Sequence, residues 1–199
     1  MISTIEGPFE TKGDEVSKRE LIDIAARVRR YEPEAFERLF DLYFERLRRY
    51  AYYKTGDIEM AEDMAADVLT KALESIDNFK DRGGTIGAWL FGIARNLLAR
   101  EREAAGKAET VELDGDLPVT EEEHTEKIVM AKLSHEELYE ALRNLPEEQR
   151  EVVLLRFMER HDVKTVARIM RKRPGAVRAL QFRAISALRE MFEPRGSLS

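Results

Sequence analysis

Cysteine is absent from the 199 residues, which excludes disulfides, thiolate nucleophiles, zinc fingers and iron–sulfur clusters. The three histidines, His124, His135 and His161, are scattered and leave little for a histidine-ligated metal. Strand formers are scarce and no run alternates with period two, which argues against sheets. The longest apolar run, residues 87–94, falls far short of the roughly 20 residues that span a bilayer. Residues 1–15 lack a basic start and an apolar stretch, so no signal peptide is expected. Gly83-Gly84 is not followed by Lys-Ser or Lys-Thr, so the pair does not read as a phosphate-binding loop. The run Glu121 to Glu123 sits in acidic sequence of low order and reads as solvated rather than catalytic. No catalytic constellation, metal or cofactor is expected, and the chain reads as cytoplasmic, without membrane insertion.

The chain is 43% hydrophobic and 36% charged, against roughly 25% charged in an average globular protein. That pairing points to helices with long solvated faces. The net charge of −6 is unevenly spread. Residues 160–189 carry nine basic side chains against the single acid Asp162, a local charge of +8. Residues 101–135 carry ten acids against four bases, a local charge of −6. A basic block near the C-terminus and an acidic middle are more informative than the total.

The pattern divides the chain into a disordered tail over 1–16, a helical bundle over 17–103, an acidic linker over 104–133, a second helical domain over 134–192 and a tail over 193–199. Ser17 with Glu20 has capping-box spacing ahead of Leu21, Ile24, Ala25 and Val28. Pro33 suits the first turn of a second helix with the stripe Phe36, Leu39, Phe40, Tyr43, Leu47, Tyr50 and Ala51, broken at Gly56. Asp57 can cap a third helix reaching Ile76, and Thr85 a fourth through Trp89, Leu90, Ile93, Ala94, Leu97 and Leu98. Between them, residues 77–84 read as a polar loop. Gly106, Gly115, Pro118 and the acids interrupt any helical stripe in the linker. In the second domain Ser134 with Glu137 repeats the capping spacing, and Pro146 opens a helix containing Val152, Val153, Leu155 and Phe157. Asp162 can cap a short helix, residues 171–173 form a turn, and Pro174 starts a last helix with Val177, Leu180, Ala184, Leu188 and Met191 inward. The predicted fold is all-α, in two small domains.

A short helix, a three-residue turn and a longer helix make a helix-turn-helix, whose second helix is long enough to enter a DNA major groove. Its apolar stripe leaves Arg178, Ala179, Gln181, Phe182 and Arg183 off the buried face, with Ala176 beside them. Arg171, Lys172 and Arg173 sit where the helix N-terminus approaches phosphates, an arrangement the helix dipole reinforces. A solvated basic face on an ordinary helical bundle is the alternative. The sharp charge segregation favours DNA.

The two halves together resemble the sigma-70 family of RNA polymerase sigma factors, of the small extracytoplasmic-function (ECF) type. "AFERLFDLYFERLRRYA", "AEDMAADVLTKAL" and "GAWLFGIARNLLARERE" are similar to successive helices of sigma region 2. "ALRNLPEEQREVVLLRFMER" and "VARIMRKRPGAVRALQFRAISALRE" are similar to region 4. The resemblance covers residues 33–192 in family order and spacing. The family often has Gln where Ala66 stands, usually Gly where Arg171 stands, a small capping residue at the place of Arg173, and a Gly-apolar pair at Arg160 and His161.

The resemblance implies a non-enzymatic factor that binds core RNA polymerase and promoter DNA. Its third helix would dock on the clamp coiled coil of the largest subunit through Glu59, Glu62, Asp63 and Asp67. The C-terminal domain would meet the flap region. Asn78, Phe79, Lys80, Arg82, Arg95 and Asn96 would serve the opening of the minus-ten element, which calls for apolar surface and cations beside an unstacked strand. Trp89 lies on the apolar stripe and reads as core; Tyr52, Tyr53 and Lys54 are weaker candidates. In the minus-thirty-five element, Arg178 and Gln181 would reach base edges. Arg171, Lys172, Arg173 and Arg183 would hold phosphates. Phe182 suits either a thymine methyl or half-burial. An anti-sigma factor is a further implied partner, and the acidic linker is a candidate mask over the basic block. The competing readings are a helix-turn-helix regulator independent of polymerase, which leaves the first half without a role, and an all-helical enzyme, which needs a polar pocket.

Overall fold

The computed structural model describes residues 16–79, 85–104, 106 and 135–192, and every regular element among them is helical. The expected linker, both tails, Ser134, Lys80 and Arg82 lie outside the described residues. The helices are α1 Lys18–Val28, α2 Pro33–Thr55, α3 Ile58–Glu74, α4 Ile86–Ala104, α5 His135–Arg143, α6 Glu147–Val153, α7 Val163–Met170 and α8 Pro174–Phe192. They fall into two compact units: α1 to α4 make the first, and α5, α6, the start of α7 through Ala167, and α8 belong to the second. No described helix is long and apolar enough to cross a membrane.

The helix starts obey the capping chemistry. Ser17 Oγ accepts from the Glu20 amide at 3.1 Å and Asp57 Oδ1 from the Met60 amide at 3.1 Å. Thr85 Oγ1 accepts from the Ala88 amide at 3.2 Å. Each cap supplies an acceptor to a backbone donor that the first turn leaves without one. Pro33 takes the first position of α2, where its missing N–H costs nothing. Gly56 ends that helix at φ 76°, its amide donating to Tyr52 O at 2.8 Å.

In the first unit α2 packs along α3, and Leu39, Leu47, Ala51, Ala61, Ala65 and Val68 are fully buried. Tyr50 meets Phe91 of α4 edge to face at 5.3 Å. Tyr43 closes on α4 at Gly87, where any Cβ would lie 2.6 Å from the tyrosine Oη. Glycine is therefore what lets the ring reach the helix backbone. Phe40, expected inside, is 42% exposed and stacks on Phe44 at 4.8 Å. It lies one residue past Leu39, rotated off a core face that takes Leu42 instead.

In the second unit Leu138, Leu142, Val152, Val153, Leu154, Leu155 and Val177 are completely buried. The helix opened by Pro146 does not stay α-helical. Residues Leu154–Met158 form a π-helical turn, closed by the Glu159 amide donating to Leu154 O at 3.0 Å. Met191, expected inward, is 44% exposed, one turn beyond the last buried residue, Leu188.

Candidate nucleic-acid interface

The helix-turn-helix is built by local chemistry. Asp162 Oδ1 accepts from the Thr165 amide at 2.7 Å and starts α7. The helix ends in a Schellman arrangement: the Lys172 amide donates to Ala167 O at 2.9 Å, and the Arg171 amide to Arg168 O at 3.3 Å. This closure requires a left-handed residue, and Arg171 supplies it at φ 56°. Arg160, before α7, is also left-handed at φ 54°. At both positions the family resemblance leads to an expectation of glycine, and the backbone still takes the conformation glycine favours. The Arg173 carbonyl then accepts the first bond of α8, from Val177 N at 3.2 Å, and Pro174 takes the first helical position.

The outer face of α8 is narrower than expected. Arg178 is exposed, and Phe182, one turn further on, is 53% exposed, so the half-buried reading of Phe182 is set aside. Arg171 and Arg173 are exposed at the turn, and Ala176 is half-buried. Ala179 is only 1% exposed and is not a surface residue. An alanine carries no mark of which side it faces, and the buried face here is wide enough to include it. Arg183 is half-buried, with its Nη1 shielded from solvent. Lys164 and Arg168 are exposed on α7, four residues apart on one face. Their spacing is legible in the sequence, yet neither is among the expected contact residues.

Two expected contact residues are already engaged. Lys172 Nζ lies 2.8 Å from Glu148 Oε1, with both side chains largely covered. Gln181 Oε1 accepts from Arg156 Nε at 2.9 Å, and Arg156 Nη1 also donates to His161 O at 2.6 Å. Sequence alone does not single out Glu148 or Arg156, since both pairings join residues far apart in the chain.

In the first unit, Glu59, Glu62, Asp63 and Asp67 are all exposed, at spacings that put them on one side of α3. Glu62 lies 3.8 Å from Arg48 of α2. Together the four form a continuous acidic strip.

The expected loop after α3 begins with a 3-10 turn, Ile76–Asn78. Asn78 is exposed; Asp77 Oδ2 accepts from Tyr31 Oη at 2.9 Å, which raises the Tyr31 pKa. Phe79 is 5% exposed, its ring 5.2 Å from that of Trp89. Its expected place in an open loop is thus corrected: it is an apolar anchor, and Trp89 is half-buried against it. On α4, Arg95 is half-buried and Asn96 exposed. Tyr53 is buried, and burial pushes its phenol up to about 12. Among the described residues no group of acids and histidines could hold a metal ion.

Comparison with known proteins gives a consistent picture. The family model for sigma-70 region 2 matches residues 39–107, and that for sigma-70 region 4 matches residues 135–188. The chain is 36% identical over 169 residues to the ECF RNA polymerase sigma factor BldN of Streptomyces coelicolor, covering 84% of this chain and 64% of BldN. It thus spans somewhat under two thirds of that relative. It is 30% identical over 158 residues to the ECF RNA polymerase sigma factor SigL of Mycobacterium tuberculosis, covering 79% of this chain and 89% of SigL. In fold it is similar to the sigma factor RpoE of Bartonella quintana, solved in complex with the anti-sigma factor NepR. The TM-score is 0.60 at 23% identity, covering 80% of this chain and 98% of that one.

Proposed function

The chain belongs to the ECF sigma factors of the sigma-70 family, and from that membership we propose that it binds core RNA polymerase, directs it to specific promoters and helps open their minus-ten element. The observation that carries the reading is the presence in one chain, in family order, of an acidic α3 face and a basic helix-turn-helix. The acids Glu59, Glu62, Asp63 and Asp67 suit a basic partner surface, and the clamp coiled coil of the largest subunit is that surface in this proposal. The second unit docks near the flap region and presents α8 to the minus-thirty-five element. There Arg178, Phe182 and the amide of Gln181 reach bases, while Arg171 and Arg173 grip phosphates.

In the minus-ten role, Asn78, Lys80, Arg82, Arg95 and Asn96 contact the opening strand, while Phe79 and Trp89 brace the base of the loop. The functional domains are 17–103 and 134–192, joined by the acidic segment 104–133. The protein works in the cytoplasm with polymerase, which supplies the chemistry, so no catalytic site of its own is needed. A dedicated anti-sigma factor is a further partner in this proposal, by analogy with RpoE and NepR.

A helix-turn-helix regulator independent of polymerase would leave the α3 face without a role. Size-exclusion chromatography with purified core polymerase separates the two readings: co-elution supports the sigma reading, and its absence at micromolar concentrations supports the regulator.

A further inference from the structure

Arg156 stands apart from its neighbours. From Glu151 to Glu159 every residue but this one is buried, and it lies at the centre of the π-helical turn Leu154–Met158. The wide turn inserts a residue into the helical register and re-aims the side chains beyond it. The Arg156 guanidinium donates from Nε to Gln181 Oε1 at 2.9 Å and from Nη1 to His161 O at 2.6 Å. The His161 amide in turn donates to Leu155 O at 3.0 Å. One side chain therefore ties the middle of α8 to the segment that leads into α7.

The chemistry of this bond fixes more than a position. A guanidinium has donors and no acceptor, so the Gln181 atom facing it has to be the carbonyl oxygen. The Nε2 amine is then held at the opposite end of the amide. An unrestrained glutamine presents oxygen and nitrogen together and pairs with adenine through N6 and N7. One whose oxygen is committed to a cation reads mainly as a donor, and guanine, with two major-groove acceptors, is the base that suits it best.

We infer that Arg156 is a positioning residue that sets the donor sense of Gln181 and thereby the base preference at one position of the upstream promoter element. The inference rests on the sigma-factor reading of α8 and adds a specificity determinant to it.

The test uses holoenzyme assembled from core polymerase and the full chain, transcribing a promoter library randomised over the upstream element. Sequencing of transcripts gives a base preference at each position. With the wild-type chain, one position prefers guanine. Arg156→Ala lets the amide turn over, and that position shifts from guanine toward adenine by about fivefold to tenfold, with the other positions unchanged. Gln181→Glu replaces the amine with an acceptor while keeping a partner for Arg156, and the same position shifts toward cytosine, whose N4 is a donor. Thermal melting accompanies each variant. If Arg156→Ala does not fold, Gln181→Glu decides alone. An unchanged profile for either folded variant, or a uniform loss at all positions for Arg156→Ala, overturns the inference. A wild-type holoenzyme with no promoter preference overturns the sigma-factor reading itself, and this inference with it.

Discussion

The Lys172 ammonium lies 2.8 Å from the Glu148 carboxylate, and the two side chains retain only 19% and 29% of their exposure. The pair couples the start of α6 to the turn ahead of α8. A cation held this way is not available to a phosphate until Glu148 is displaced. Glu148→Gln should therefore strengthen binding of the full chain to duplex DNA and steepen its salt dependence by roughly one counterion. Lys172→Ala should change that slope by clearly less than one. Duplex affinities over a salt series check both. A full one-counterion loss in Lys172→Ala would show that the lysine reaches phosphate in spite of its partner.

Arg178 and Ala179 are adjacent in sequence and opposite in fate. Arg178→Ala should cost about 1–3 kcal/mol on the preferred upstream element and relax discrimination at one or two base pairs, leaving the melting temperature nearly unchanged. Ala179→Leu should do the reverse. It overfills a packed site and should destabilise the second unit by about 1–3 kcal/mol. Thermal melts read beside promoter competition distinguish the two roles.

Gly87→Ala places a methyl 2.6 Å from Tyr43 Oη and 2.8 Å from its Cε1. Because the tyrosine is itself buried, it has little room to yield. The substitution should cost about 1–3 kcal/mol by denaturant unfolding. Its cost should be smaller in a Tyr43→Leu background, since that change removes the ring. Equal costs in both backgrounds would place the strain elsewhere.

Arg171→Gly separates stability from grip. The left-handed conformation costs an L-residue roughly 1–2 kcal/mol, and glycine adopts it without that strain. The variant should melt higher by calorimetry while binding duplex DNA more weakly, because an exposed cation beside α8 is lost. A lower melting temperature would mean that the Arg171 side chain stabilises the turn by more than its backbone strain.

Tyr53 supplies a pH dependence. Burial raises its phenol from 10.0 to about 12. The unfolded chain ionises this group near pH 10, while the folded chain holds it neutral. Its contribution to stability is thus fully present below pH 10 and is lost as pH rises toward 12. Unfolding measured over that window should show a loss that Tyr53→Phe reduces. An identical alkaline midpoint in the variant would assign the loss to other groups.

Much of this molecule is written locally. Ser17, Asp57, Thr85 and Asp162 each cap the helix that their spacing predicts, and Pro33 and Pro174 each take the first helical position. The exposed acids of α3 are a consequence of the helical period alone. The features that escape the sequence depend on tertiary choice. Phe79 reads as a loop aromatic until Trp89 is found beside it. Ala179 fits either side of a helix. The π turn at Leu154–Met158 sits in a run so uniformly apolar that no period distinguishes it from an α-helix. The Glu148–Lys172 and Arg156–Gln181 pairings join residues with no shared local pattern, so only the fold brings them together.

In the proposed function the two units act together as a promoter-specificity factor. Run-off transcription with purified core polymerase compares core alone, core with the wild-type chain, and core with a chain in which Glu59, Glu62, Asp63 and Asp67 are all changed to lysine. Discrete transcripts from a subset of a promoter pool are expected with the wild-type chain only. Transcript patterns identical to those of core alone would rule out a promoter-specificity role, and transcripts undiminished by the four charge reversals would rule out docking through the acidic face of α3.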